Sequence, residues 1–230
     1  MSGVYDVVFL FDVDNTLINN DRVQQDLGAY LGQEFGPRAR DHYWEIFESL
    51  RAELGYADYL GALERYRHED LHDPRILRMA NWLVDYPFAD RLYPGALEAV
   101  DHAAHAGQTV ILSDGDAVFQ PRKVQRSGLW RAFENRVLIY IHKEQELDDI
   151  ERFYPARHYV LIDDKLRILD AVKRSWGRRV TTVFPRQGHY ALDAREVAKY
   201  PPADIALDTI GEFRLLDLAR FTTPAEEARP

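Results

Sequence analysis

The stretch Tyr5-Asp6-Val7-Val8-Phe9-Leu10-Phe11-Asp12-Val13-Asp14-Asn15-Thr16-Leu17 decides the fold. Its apolar run, Val7 to Phe11, is β-branched and aromatic and reads as a buried strand. A strand apolar on both faces belongs to a parallel sheet covered by helices on each side. In such sheets ligands bind beyond the carboxyl ends of the strands, which is where Asp12 and Asp14 fall. Two carboxylates one residue apart repel each other, and a hard divalent cation such as Mg²⁺ relieves that repulsion. In isolation such a pair serves equally well as a helix cap or a turn. The remainder of the chain decides between the two.

Three further apolar runs end in polar residues of the right kind. Thr109-Val110-Ile111-Leu112 leads into Ser113-Asp114-Gly115-Asp116. Tyr159-Val160-Leu161-Ile162 leads into Asp163-Asp164. Val137-Leu138-Ile139-Tyr140-Ile141 precedes Lys143. Phe11-Asp12-Val13-Asp14-Asn15-Thr16-Leu17 resembles the first motif, DxDx[TV], of the haloacid dehalogenase superfamily of phosphohydrolases. Ser113 matches the second motif, Lys143 the third, and Asp163 with Asp164 the fourth. Each motif is short, but all four occur in order, and the resemblance spans the chain apart from an insertion after the first motif.

The resemblance implies a role for each residue. Asp12 is the nucleophile. Asp14 is the general acid and base, and its backbone carbonyl joins Asp12, Asp163 and Asp164 around Mg²⁺. Ser113 hydrogen-bonds a phosphoryl oxygen, and Lys143 sets a fixed positive charge against the phosphoryl group and Asp12. The chain departs from the pattern of many relatives: Glu144 follows Lys143 where they have Pro, and Ile162 precedes Asp163 where they have Gly. The next acid, Asp170, lies farther from Asp163 than theirs does, so Asp164 is the better second acid. Lys123 rivals Lys143 but lies in the basic segment Arg122 to Arg126, which reads as a solvated helix face. Lys143 at a helix start opposes the helix dipole, a placement that favours a functional role.

Composition limits the alternatives. The chain has 230 residues, 46% hydrophobic, enough for one core and a small extra domain. A formal charge of −9 argues against general affinity for nucleic acid or acidic membranes. With no cysteine there is no disulfide, thiolate metal site or Cys nucleophile. The eight histidines show no zinc-type spacing. Neither a signal peptide nor a membrane span is expected, so the expected location is cytoplasmic. There is no GxxxxGK[ST] loop and no GxGxxG fingerprint.

Strand signals stop after Leu17 and return near Thr109. Between them, Arg22 to Phe35, Arg38 to Leu54, Ala57 to Tyr66 and Arg75 to Tyr86 read as helices, punctuated by Gly36-Pro37, Gly55 and Asp73-Pro74. Residues 18–90 are therefore expected as an α-helical cap with its own core, hinged after Leu17 and around Pro87 to Pro94. Residues 1–17 and 91–230 form the α/β core, a doubly wound, Rossmann-like parallel sheet. Arg22, Arg40, Arg51 and Tyr56 are the polar candidates for substrate contact in the cap. A final helix is expected over Gly211–Arg220, and the polar tail from Thr222 to Pro230 is expected to be disordered.

The function these features imply is Mg²⁺-dependent hydrolysis of a small-molecule phosphate monoester through an aspartyl-phosphate. A phosphomutase on the same fold is the alternative. A haloacid dehalogenase has less use for Asp14, because a halide leaving group needs no proton. A non-catalytic binding protein needs no acid–base carboxylate at all.

Overall fold

The computed structural model describes residues 3–69 and 71–222. A six-stranded parallel sheet runs in the order β3-β2-β1-β4-β5-β6. The strands are β1 (Tyr5–Phe11), β2 (Gln108–Asp114), β3 (Val137–Tyr140), β4 (Ala156–Ile162), β5 (Val180–Pro185) and β6 (Ile205–Leu207). Strand order reverses beside β1, so the crevice between β1 and β4 is the switch point at which doubly wound sheets bind ligands.

Register places the motif residues there. Phe11 pairs with Ile111 on one side and Ile162 on the other, so Asp12 and Asp163, each the next residue, leave the sheet side by side. β2 runs longer at this edge, with Ser113 opposite Ile139 and Asp114 opposite Tyr140.

Successive residues of β1 face opposite layers, as the strand period requires. Val7, Phe9 and Phe11 join one buried cluster, and Val8 and Leu10 join the other. The second cluster includes Leu147 and Ile150 of α8 (Leu147–Phe153) and Ile168, Leu169, Val172 and Trp176 of α9 (Leu166–Trp176). The first includes Ala96, Ala99, Val100 and Ala103 of α5 (Ala96–Ala106), with Phe213 edge-on to Phe9 at 6.1 Å.

Between β1 and β2 lie α1 (Asn20–Glu34), α2 (Pro37–Leu54), α3 (Tyr59–Arg67) and α4 (Pro74–Asp85), within two residues of the sequence reading at each end. Their apolar stripes recur at helical spacing, as with Val23, Leu27 and Leu31 of α1 and Ile76, Met79 and Leu83 of α4. Pro37 and Pro74 occupy first helical positions, where the missing N–H costs nothing. Gly55 ends α2 in the left-handed conformation.

The insertion does not keep a core of its own. Leu27, Tyr43, Phe47, Tyr59 and Met79 belong to the same buried cluster as Phe9 and Phe11. The seam runs through Phe119 of α6 (Phe119–Arg126), whose ring centroid lies 5.0 Å from Tyr59 and 5.7 Å from Phe88. The helical layer therefore contributes to the stability of the sheet side as well as to the roof of the site.

One further expectation is corrected. The segment expected as helix Gly211–Arg220 is a 3₁₀ turn, Ile210–Leu215, ended by extended Leu216 and followed by a short helix, Ala219–Thr222. Phe213 and Leu218 both reach the core, five residues apart, a spacing a continuous helix does not place on one face. After β5 the chain forms α10 (Gly188–Leu192) and α11 (Ala194–Val197). The tail beyond Thr222 lies outside the described residues.

Candidate active site

Four strand ends deliver their polar residues to one edge. Asp12 follows β1 and is buried. Lys143 follows β3 in a 3₁₀ turn and is 2% exposed. Its Nζ lies 2.5 Å from Asp12 Oδ1 and 2.7 Å from Asp163 Oδ2, and it donates to the Leu112 carbonyl at 3.1 Å. The Lys143 backbone N–H donates to Asp114 Oδ1 at 2.7 Å, so the residue after Ser113 fixes the turn that carries the lysine. Burial opposes the charge on Lys143, but Asp12, Asp163 and Asp114 outweigh it and push its pKa up.

One carboxylate oxygen from each of Asp12, Asp163 and Asp164 lies within 4.8 Å of the others. Asp12 Oδ2 and both Asp164 oxygens are buried and receive no hydrogen bond, and Asp163 Oδ2 has the Lys143 ammonium beside it at 2.7 Å. Burial pushes the Asp163 carboxyl up to about 6, against the opposing pull of Lys143. It pushes Asp164 well above the usual carboxylate range, against Lys165. Such orphaned oxygens are costly unless something binds them, and several converging carboxylates suit a hard divalent ion. The residues present fit Mg²⁺. Asp163 also serves α9, since its Oδ1 accepts the Lys165 backbone N–H at 2.8 Å. Asp164 is held by its own N–H, which donates to Thr16 Oγ1 at 3.1 Å.

Asp14, expected among the metal ligands, stands apart in its carboxylate. Its Oδ1 accepts from Lys123 Nζ at 2.6 Å and its Oδ2 from Gln120 Nε2 at 3.3 Å. Lys123 is therefore not on a solvated face: it is fully buried. Helix periodicity explains the error. Phe119, Gln120, Lys123 and Val124 share the inward face of α6, whereas Arg122 and Arg126 point toward α4. There Arg122 donates to the Val84 carbonyl at 2.9 Å and Arg126 to the Asp85 carbonyl at 2.7 Å, covering carbonyls a helix end leaves open.

Lys123 also joins Asp14 to the insertion. Its Nζ donates to Asn20 Oδ1 at 3.1 Å, Asn20 Nδ2 donates to Tyr59 Oη at 3.2 Å, and Gln24 Nε2 donates to the same hydroxyl at 2.9 Å. A lysine in this position holds the Asp14 carboxylate in place. Should Asp14 protonate the leaving group of a phosphate monoester, Lys123→Met would slow cleavage of an alkyl phosphate about tenfold or more, the loss typical of an impaired general acid. Cleavage of p-nitrophenyl phosphate, whose leaving group needs little protonation, should slow far less. Equal losses on both substrates would leave Lys123 a purely structural residue.

Ser113 is 1% exposed; its Oγ accepts from Gln120 Nε2 at 2.9 Å. Gln120 thus touches both Ser113 and Asp14, and the sequence reading missed it. Asp114, Thr16 and Gln187 were also missed; Gln187 Nε2 donates to the carbonyls of Asn15 and Thr16 at 3.1 and 2.8 Å. Of the other sequence candidates, Asp170 pairs with Arg174 along α9, Arg22 with Asp26 at 3.2 Å and Arg40 with Asp41 at 2.7 Å. Tyr56 is half-buried beyond the end of α2.

The insertion is pinned where it starts. Asn15, itself left-handed at φ 60°, donates from Nδ2 to Asp21 Oδ1 at 2.9 Å, and the His189 N–H donates to Asp21 Oδ2 at 2.8 Å. Gly188, at φ +77°, allows this approach: a Cβ there would lie 2.4 Å from the Asn15 Cβ. At its far side, a Cβ on Gly55 would lie 2.5 Å from the His142 ring, so the end of α2 rests on the loop that carries Lys143.

A family model for haloacid dehalogenase-like hydrolases matches residues 7–184. The chain is 60% identical to a protein from Burkholderia xenovorans LB400 whose crystal structure is described as a haloacid dehalogenase-like hydrolase; the match covers 96% of this chain and 100% of that one, with a TM-score of 0.90. L-2-haloacid dehalogenase from Xanthobacter autotrophicus shares the fold at 18% identity, with 93% and 98% coverage and a TM-score of 0.58. A magnesium-bound HAD-hydrolase from Bacillus subtilis does so at 14% identity, with 91% and 97% coverage and a TM-score of 0.60. No protein in the curated set matches the chain significantly.

Proposed function

Because the chain belongs to the haloacid dehalogenase-like hydrolases, we propose that its buried carboxylate, Asp12, attacks the phosphorus of a small phosphate monoester and that Asp14 handles the proton. The observation that carries this reading is the separate housing of the two carboxylates. Asp12 is buried against Lys143 at 2.5 Å, while Asp14 is held by a different lysine at 2.6 Å with its side chain 27% exposed. Two carboxylates in unlike surroundings divide into nucleophile and acid–base group.

In the first step an Asp12 oxygen bonds to phosphorus, the ester P–O bond breaks, and Asp14 gives its proton to the leaving alkoxide. In the second step Asp14 takes a proton from water, which attacks the aspartyl-phosphate; phosphate leaves and Asp12 is restored. Lys143 stays beside Asp12 throughout and balances the charge that gathers on the phosphoryl oxygens. Ser113, buried at the same strand edge, supplies a hydroxyl for one of those oxygens. Mg²⁺, held by Asp12, Asp163 and Asp164, would neutralise the repulsion between carboxylate and phosphoryl group. Residues 18–90 act in this reading as the lid that controls water.

A dehalogenase displaces halide from carbon and needs no proton on the leaving group, so the Lys123–Asp14 pair would have no task. The purified protein is expected to release inorganic phosphate from p-nitrophenyl phosphate only with Mg²⁺; exhaustive chelation removes the activity and re-addition restores it. Chloride release from 2-chloropropionate, without any phosphate release, would refute the reading. Sugar-phosphate substrates, with product analysis, separate hydrolysis from phosphoryl migration.

A further inference from the structure

A cavity of about 250 Å³ opens between the insertion and the sheet edge. Asp164 forms part of its wall, and the Asp164 carboxylate lies within 4.8 Å of that of Asp12. The cavity thus adjoins the carboxylate cluster at Asp164 and is of a size for the rest of a small substrate. From the insertion it is bounded by Arg51, and from the core by Lys165, Phe184, Tyr190 and Tyr200.

Its charges divide into committed and available ones. Arg167 lines the cavity but is paired with Glu144, and Glu196 is paired with Lys199 at 2.5 Å. Lys165 differs. Among the described residues no carboxylate lies within 4.0 Å of its ammonium, which sits 5.1 Å from the centroid of the Tyr190 ring and interacts with the buried Asp164, Asp12 and Asp163 carboxylates only at longer range. Arg51 faces it from the other wall. One guanidinium nitrogen meets Glu48 at 2.9 Å and another donates to Tyr190 Oη at a stretched 3.4 Å, which leaves further donors of the five-donor fork free. Tyr190 thus carries both cations, one over its ring and one at its hydroxyl. The apolar part of the wall, formed by Leu166, Phe184 and Val197, weakens screening locally and strengthens the pull of both cations on an anion.

We propose that this cavity holds the alcohol portion of the substrate, and that Lys165 and Arg51 bind a second anionic group on it. The substrate class is then a phosphate monoester of a small hydroxy acid, or a small bisphosphate, rather than a neutral sugar or alcohol phosphate. The inference rests on the phosphatase reading and adds to it the chemistry of the leaving group. Arg51 comes from the insertion and Lys165 from the core, so an anion bridging them also draws the two together.

The test compares ethyl phosphate with phosphonooxyacetate, which replaces the methyl group by a carboxylate, and propyl phosphate with propane-1,3-diol bisphosphate. One or both acidic substrates should show kcat/KM about 10- to 100-fold above the matched neutral one, the range of a charged hydrogen bond, with the gain mainly in KM. The arm with the larger ratio identifies carboxylate or phosphoryl as the second anion. Lys165→Met and Arg51→Met should each bring that ratio toward one, and Lys165→Arg should keep most of it. Hydrolysis of p-nitrophenyl phosphate with both ratios near one, or ratios that survive both Met substitutions, overturns this inference alone. Failure to hydrolyse any phosphate ester overturns the phosphatase reading and this inference with it.

Discussion

Asp12→Asn is expected to lower phosphate release at least about a thousandfold while leaving the protein folded, because an amide is a far poorer nucleophile and metal ligand than a carboxylate. The geometry explains why no neighbour takes over. Asp163 and Asp164 are the other buried carboxylates of the cluster; one caps the turn into α9 through Lys165 N–H and the other is anchored by Thr16. Asp14 is turned toward Lys123 and Gln120. The substitution is close to isosteric, and Lys143 retains Asp163 at 2.7 Å, so the far-ultraviolet spectrum and the thermal midpoint should stay near those of the parent. The measurement is single-turnover phosphate release with acid-quench trapping of phosphoprotein. Near-normal turnover by a well-folded Asp12→Asn protein would sink the mechanism.

Lys143→Met should be the change most damaging to stability, with a large loss of activity beside it. The lysine is 2% exposed and is the cation that touches Asp12 and Asp163, with Asp164 close by. Removing one partner of a buried ion pair leaves its carboxylates uncompensated, at a cost of about 3–5 kcal/mol. Activity should fall by about 10²- to 10³-fold, as when one preorganised electrostatic donor to the transition state is lost. The two effects separate with Mg²⁺. The cation can offset the carboxylate charge and recover much of the stability, measured as a rise in thermal midpoint larger than the parent shows. It cannot replace a cation placed against the attacking oxygen, so turnover should stay low. Full activity in Lys143→Met at saturating Mg²⁺ would remove the lysine from the proposed machinery.

The fold and most of the candidate site follow from local pattern. Parallel strands leave an apolar signature that needs no partner to be read, and the buried β1, β2 and β4 and the half-buried edge strand β3 all carry it. A polar residue at or just past the end of such a strand is delivered to the carboxyl edge of the sheet. Asp12, Ser113, Lys143 and the Asp163–Asp164 pair were therefore legible as neighbours although more than a hundred residues separate the first from the last. The helices of the insertion were legible for the same kind of reason, since their caps, prolines and apolar stripes are written within each segment.

Tertiary structure decided which lysine serves which carboxylate. Arg122, Lys123 and Arg126 look alike as a charge run, and only the packing of α6 on Phe88 and Tyr59 turns Lys123 inward to Asp14. The same packing fused the insertion and the core into one apolar cluster, which segment-by-segment patterns do not reveal. It also set Arg51 across a cavity from Lys165, two residues with no relation in sequence. Strand ends are fixed by backbone periodicity, a local property. The partner of a long, flexible cation is fixed by whichever buried anion the folded chain brings within reach, and that depends on how every element packs.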